Sequence, residues 1–259
     1  MSKHINGYAG KMLRVDLTFE RLSEVTFDEP TLRKYVGGTG LGAKILYDEV
    51  SPQSDWVDPE NRVIIASGPL GGTMVPGSST ISVITKGALT NGATSVQANG
   101  RFGAFLKFSG YDGLIIQGAA KRWVYLSIRN GHSELVDANH LLGVDTYDIG
   151  GIISKEQKVQ DSRISAVSIG PAGEHLVRFA GVFVDKGHSA SHNGPGAVLG
   201  AKRLKAIVAF RGKQNIAVTN PDALKQVATK FRENTKDYRG TIGGVHRSQL
   251  SGLGSLPVR

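Results

Sequence analysis

Two stretches of this sequence combine the residue types and spacing that anion chemistry needs. Gln97-Ala98-Asn99-Gly100-Arg101-Phe102-Gly103 sets small and amide side chains ahead of a short predicted helix, Ala104 to Phe108. A helix start presents unpaired backbone N–H groups, so the loop suits an anion; the plainer reading is a helix capped by Asn99. The second stretch, Gly187-His188-Ser189-Ala190-Ser191-His192-Asn193-Gly194-Pro195-Gly196-Ala197, is polar and glycine-rich. Its backbone could cradle phosphate oxygens, with His188 or His192 donating hydrogen bonds. Two histidines four apart also suggest a metal pair, but Pro195 and the glycines argue against a helix that would hold both on one face, and no third ligand is near.

Other chemistries are read and set aside. Gly37-Gly38-Thr39-Gly40-Leu41-Gly42 has the composition of a phosphate loop, yet the element before it is a predicted helix and no Walker-type lysine–serine pair follows. The plainer reading is a tight helix-to-helix turn. There is no Gly-x-Ser-x-Gly elbow and no His-Glu-x-x-His. Asp112 is a candidate acid or, more simply, a turn residue. The chain has no cysteine, so it cannot ligate an iron–sulfur cluster through thiolates or use a thiol nucleophile.

Composition bounds the partners. The net charge of +9 over 259 residues suggests an anionic partner or a solvated basic surface. Basic residues are densest at Lys202, Arg203, Lys205, Arg211 and Lys213. No aromatic-interleaved basic stripe accompanies them, so nucleic acid is not expected. No apolar run approaches the roughly 20 residues of a membrane helix, and Met1 to Gly7 lacks the core of a secretion signal. A cytoplasmic protein with no membrane contact is expected.

The elements that must position these loops follow from periodicity. Strands are expected at Gly10–Leu17, Arg62–Ser67, Thr80–Thr85, Gly113–Gln117, Ser165–Ile169, Arg178–Val184 and Ala206–Phe210. Val124–Ile128 and Ser133–Val136 flank Asn130-Gly131, a type I′ hairpin signal. Helices are expected from Glu29 to Tyr35, Leu41 to Val50, Phe102 to Phe108, Asp145 to Lys158 and Ala223 to Glu233. Gly68-Pro69-Leu70-Gly71-Gly72 and Gly170-Pro171-Ala172-Gly173-Glu174 each follow an apolar strand, marking either two halves of a duplicated sheet or a common turn used twice. Residues 1–212 read as one α+β domain. Residues 213–259 read as the truncated opening of a following helical domain, and beyond Lys236 the pattern dissolves into glycines.

Several stretches together resemble the aldehyde:ferredoxin oxidoreductase family, the tungsten bis-pterin enzymes. They are Tyr35-Val36-Gly37-Gly38-Thr39-Gly40-Leu41-Gly42, Ala66-Ser67-Gly68-Pro69-Leu70, Leu106-Lys107-Phe108-Ser109-Gly110-Tyr111-Asp112, Ile169 to Val177, and Gly196 to Ile207. The resemblance implies an α+β amino-terminal domain, a pseudo-twofold duplicated β-sheet saddle under a tungsten (or molybdenum) bis-pterin with bridging Mg. It implies oxidation of aldehydes to carboxylates, with electrons passing through a [4Fe-4S] cluster to ferredoxin. Aromatic acyl-CoA reductases of the tungsten type look like the same family. Carried onto this chain, the cofactor-binding positions are Thr80, Gln97, Asn99, Gly100 and Arg101 in one half, and His188, Ser189, Ala190, His192, Asn193 and Gly194 in the other. Thr80, His188 and His192 stand where the family tends to have arginine, so the charged clamps are weaker here while backbone contacts remain.

The cluster cysteines and active-site acid–base groups of the family lie in later domains. The expectation is therefore a cofactor-cradling part that is inactive alone and works with the missing domains or a companion subunit carrying the cluster. A non-catalytic pterin-binding module or remnant is the other reading. An open saddle is a sticky surface, so homo-oligomers are plausible.

Overall fold

The computed structural model describes residues 5–236. Among these residues twelve strands and seven α-helices follow in an order that repeats itself. The first unit runs β1 (Lys11–Asp16), β2 (Arg21–Thr26), α1 (Glu29–Tyr35), α2 (Gly38–Glu49), β3 (Val63–Ala66), β4 (Ile81–Lys86), β5 (Ala93–Ala98), α3 (Phe102–Phe108) and β6 (Gly113–Gln117). The second runs β7 (Val124–Arg129), β8 (His132–Asp137), α4 (Thr146–Glu156), β9 (Ile164–Ser168), α5 (Pro171–Glu174), β10 (Val182–Val184), β11 (His188–Ala190), α6 (Pro195–Ala201) and β12 (Leu204–Phe210). A last helix, α7 (Pro221–Lys236), follows.

Each unit makes one six-stranded sheet, ordered β2-β1-β6-β3-β4-β5 and β8-β7-β12-β9-β10-β11. Adding six to every strand number of the first sheet yields the second. The directions repeat as well: β1 is parallel to β6 and β7 to β12, and every other pairing is antiparallel. The two Gly-Pro stretches follow β3 and β9, the same place in each unit. Their similarity therefore marks the duplication.

The layers explain the apolar runs. One core lies between the sheets and takes Phe102, Phe105 and Leu106 of α3, Ala197 to Leu199 of α6, and residues from both sheets. A second core packs α1 and α2 onto the far face of the first sheet, and a third packs α4 onto the far face of the second. Central strands are therefore covered on both sides. Val63, Ile64, Ile65 and Ala66 of β3 are all buried, which is why they read as a continuous run rather than an alternation. Each fully buried aliphatic side chain contributes roughly 1.5–3 kcal/mol by leaving water.

The structure corrects several expectations. The tight helix-to-helix turn is present but confined to Val36-Gly37, with positive φ at Gly37 and Gly38; the glycines at 38, 40 and 42 run on into the first turns of α2, with Gly37 as its N-cap. A Cβ at Gly40 would stand 2.3 Å from the Tyr35 carbonyl, and one at Gly42 would stand 2.4 Å from Ile84 Cδ1. Glycine lets α2 approach both α1 and β4. As expected, no helix carries both His188 and His192; Pro195 and Gly196 instead open α6, which was not expected, with proline at a first-turn position where its missing N–H costs nothing. Asn99 does not cap α3; the N-cap is Arg101, with no side-chain cap bond. The strand expected over Arg178–Val184 is confined to Val182–Val184.

The basic run after α6 is only partly at the surface: Arg203, Arg211 and Lys213 are exposed, the two other lysines are not. Lys202 and Lys205 are fully buried. Lys202 Nζ donates to the carbonyls of Pro59 and Gly118, and Lys205 Nζ to those of Val144 and Ile169 and to Glu174 Oε1. Burial pushes the Lys202 ammonium down to about 7. Lys107 is also buried. It donates to the carbonyls of Gly7 and Gly68 and lies 3.2 Å from Asp112. Asp112 in turn accepts from the Ala9 and Gly10 amides, which is the work of a structural residue. After β12 the chain crosses the end of α3, where Gln214 N donates to Phe108 O, and α7 is tied to the β3–β4 connection through Arg232 Nη2 and Met74 O at 2.6 Å. The expected glycine-rich stretch beyond Lys236 lies outside the described residues.

Candidate functional site

Both sequence-predicted loops end on one seam. β5 and β11 are the outermost strands of their sheets and lie side by side, and among the described residues no ladder joins them. Their facing edges leave backbone polar groups outside any sheet. The sequence reading missed both strands. β5 is built mostly of small or polar residues, Ala93-Thr94-Ser95-Val96-Gln97-Ala98, with no long apolar run. The turn dipeptide Asn91-Gly92 just before it, with Asn91 at φ 56°, is the signal that could have found it.

At one end of the seam, the loop from β5 to α3 meets the turn from β10 to β11. Gly100, at φ +112°, permits this, since a Cβ there would stand 2.7 Å from Val184 Cγ1 and 3.0 Å from Asp185 Oδ2. Arg101 N donates to Asp185 Oδ2 at 2.9 Å. The other Asp185 oxygen accepts from Ser165 Oγ at 2.6 Å and the Ala166 amide at 3.3 Å. The chain's own carboxylate therefore takes the Arg101 amide at the head of α3. Sequence reading missed Asp185, which looks like an ordinary turn residue in Val184-Asp185-Lys186-Gly187.

At the other end, the loop from β11 to α6 meets the turn from β4 to β5. Asn193 Oδ1 accepts from the Thr90 amide at 3.0 Å and lies 3.1 Å from the Thr90 hydroxyl, while Asn193 Nδ2 donates to the Gly92 carbonyl. A Cβ at Gly87 would stand 2.3 Å from the Asn193 carbonyl oxygen. Gly194, at φ +69°, is held so close to the Arg178 carbonyl that a Cβ would overlap it. The two ends repeat one arrangement: the loop before each inner helix docks on the strand turn of the other unit. Reciprocal docking of this kind is what an approximate twofold between the units produces.

The remaining candidates are distributed along the seam. The Thr80 hydroxyl lies 2.9 Å from Asn99 Oδ1 and 3.0 Å from the Gly77 carbonyl. Gln97 projects toward the start of α2, where its Nε2 donates to Thr39 Oγ1 at 3.1 Å; Thr39 Oγ1 also lies 2.7 Å from Ser95 Oγ. Gly37-Gly38-Thr39 is thus beside the candidate site, a proximity that sequence alone did not suggest. His188, Ser189 and Ala190 are the three residues of β11, paired with Val184, Phe183 and Val182. Ala190 is buried and offers backbone only. His188 begins the strand and His192 lies beyond its other end, so the two imidazoles are not held on one helical face. Among the described residues no group of three or more His, Cys, Asp or Glu could hold a metal ion.

This duplicated architecture, with its paired loops, has known counterparts. Residues 12–211 match the family model of the aldehyde ferredoxin oxidoreductase N-terminal domain. The chain belongs to that family.

Its relatives include the tungsten-containing aldehyde ferredoxin oxidoreductase of Pyrococcus furiosus, 39% identical over 214 residues, covering 83% of this chain and 35% of that protein. The Pyrococcus abyssi counterpart is 40% identical over 239 residues, covering 92% of this chain and 39% of that protein. The active-site complex BamBC of benzoyl coenzyme A reductase, solved with 1,5-dienoyl-CoA, superposes with a TM-score of 0.86 at 34% identity, covering 93% of this chain and 36% of that one. The chain therefore spans little more than a third of the length of these aldehyde ferredoxin oxidoreductase relatives. Its sheets, and the two loops flanking β5 and β11, fall inside the matched region.

Proposed function

We propose that this chain is the cofactor-cradling part of a tungsten (or molybdenum) bis-pterin oxidoreductase. The observation that carries the reading is the seam: two loops, one from each repeated unit, flank adjacent edge strands in equivalent ways. A ligand with two like halves fits such a surface. The residues present also fit in chemistry. Ser95, Ser189 and Ala190 are small, Gly100 and Gly194 bring backbone close, and β5 and β11 are the edge strands of their sheets. Cationic contacts are fewer than the resemblance implies, because threonine and two histidines stand at clamp positions.

On this reading Thr80, Gln97, Asn99, Gly100 and Arg101 hold one half of the cofactor, with its bridging Mg near the β5–α3 loop. His188, Ser189, Ala190, His192, Asn193 and Gly194 hold the other. When bound, the group supplies two-electron oxidation and reduction at its metal. The chain's share is to bind and orient it; Asp185 and Asn193 keep the two loops rigid enough to do so. The [4Fe-4S] ligands, the substrate channel and the contact with ferredoxin belong to polypeptide outside this chain, whether following domains or a companion subunit. Residues 1–212 form the cradling domain, and 213–259 open the next.

The physiological reaction is aldehyde oxidation or, in the second reading, aromatic acyl-CoA reduction, which the likeness to BamBC favours. The test is turnover. Tungsten-loaded pure chain is expected to oxidise no aldehyde with a dye acceptor, and to gain activity only with the cluster-bearing polypeptide. Aldehyde oxidation by the chain alone would overturn the division of labour.

A further inference from the structure

The sequence carries five Asn-Gly pairs: Asn6-Gly7, Asn91-Gly92, Asn99-Gly100, Asn130-Gly131 and Asn193-Gly194. Each holds the parts of one reaction. The glycine amide nitrogen can attack the asparagine Cγ and close a five-membered succinimide. The Cγ–Nδ2 bond breaks, and ammonia leaves with the proton of the attacking amide. Water then opens the ring at either carbonyl, giving aspartate or isoaspartate. No electrons are exchanged, and water is the sole co-reactant. Glycine leaves the nitrogen accessible in all five pairs, so the fold decides which of them reacts.

Four pairs are restrained. Asn6 Nδ2 donates to Thr219 Oγ1 at 2.9 Å, and Gly7 N to Ala217 O at 2.7 Å. Asn99 Oδ1 lies 2.9 Å from the Thr80 hydroxyl, with Gly100 closely packed on Val184 and Asp185. Asn193 is bonded through both side-chain atoms, and Gly194 N donates to Ser191 O. Asn91 has an exposed side chain, but Gly92 N donates to Thr90 Oγ1 at 3.2 Å and Gly92 O accepts from Asn193.

Asn130-Gly131 is the exception. Both residues are exposed, and among the described residues neither the Asn130 side chain nor Gly131 N has a hydrogen-bond partner. The Arg129–His132 pairing closes a two-residue loop, with Asn130 at φ 50° and Gly131 at φ 80°, a type I′ turn. Turning over the peptide plane between them gives type II′, the other two-residue hairpin turn. The strands keep their places, and the φ of Gly131 changes sign, which glycine tolerates. The turned plane sets Gly131 N on the same side as Asn130 Cβ, the arrangement that ring closure through Cγ requires. The pair is also joined to the first unit. Gly131 O accepts from the hydroxyl of Tyr111, a buried residue between α3 and β6, at 3.0 Å.

We infer that Asn130 is a modification site: it cyclises onto Gly131 N ahead of the other four pairs, and its isoaspartyl product loosens the joint between the two units. Isoaspartate inserts a methylene into the main chain and carries Gly131 O away from Tyr111. The aspartyl product leaves the main chain unaltered, and Asp-Gly suits the same turn. The experiment incubates the full chain in mildly alkaline buffer, folded and in guanidinium chloride, and follows all five pairs by peptide mapping. In the folded chain Asn130 is expected to convert at least about tenfold faster than any other pair. In denaturant the five are expected to convert at similar rates. A different fastest pair, or the same ranking in denaturant, would overturn the proposal, because the turn would not be the cause. The isoaspartyl fraction, separated by ion exchange, is expected to melt about 2–4 °C below fresh protein. Asn130→Asp is expected to melt with fresh protein. An isoaspartyl fraction as stable as fresh protein, or an Asn130→Asp chain as unstable as the isoaspartyl one, would overturn the link to Tyr111.

Discussion

Single residues here do work that their types conceal. Asn193 looks like a phosphate ligand, yet its amide joins two turns; Arg101 looks like an anion clamp, yet its backbone amide is taken by Asp185. Lys202 is the sharpest case. Its ammonium is buried against two carbonyls with no acid in contact, and burial lowers it from an ordinary 10.5 to about 7. Below pH 7 both folded and unfolded chains hold the proton, and the fold bears the whole cost of burying the charge. Between about 7 and 10.5 the folded chain releases the proton while the unfolded chain keeps it, so stability rises with pH. The shift corresponds to about 5 kcal/mol at most over the full window. Lys202→Met removes this rise. Urea midpoints of wild type and variant, measured from pH 6 to pH 9.5, should diverge in slope above pH 7, with wild type gaining on the variant. Parallel curves would show that the buried amine keeps an ordinary affinity for its proton.

At the scale of elements, the seam is kept in shape by two docking contacts at opposite ends of β5. Asp185→Ala removes acceptors from one main-chain amide of the β5–α3 loop and from Ser165 and Ala166, and should cost about 2–4 kcal/mol. Asn193→Ala removes the contact to the β4–β5 turn and places alanine at φ 64°, for about 2 kcal/mol. The sites share no partner, so the double variant should equal the sum within about 0.5 kcal/mol in denaturant titrations. Strong coupling would mean that the two ends move as one body. These contacts were the least legible part of the sequence. Long apolar runs located β3, β6, β7 and β12 within a residue or two, because burial on both faces leaves an unmistakable pattern. β5, β11 and α6 carry small residues and are defined by what docks on them, which local periodicity does not record. The candidate loops were legible by composition, but the carboxylate that fills one and the turn that fills the other were not.

At the scale of the molecule, duplication is the organising fact. Twelve strands of the described residues fall into two sheets of one topology, and the edge strands β5 and β11 meet at a seam. The resemblance in sequence indicated this duplicated form; the reciprocal docking of loops on turns explains how one surface arises from two units. Cysteine is absent throughout, so no thiolate of this chain can ligate an iron–sulfur cluster. The central claim is that both halves of the seam hold one cofactor. Hydrogen exchange on tungsten-bearing protein from the native host, compared with the same protein after cofactor release, tests it most directly. Amides of residues 97–101 and 188–194 should slow together when the cofactor is present. Protection of only one stretch, or of neither while tungsten remains bound, would contradict the account.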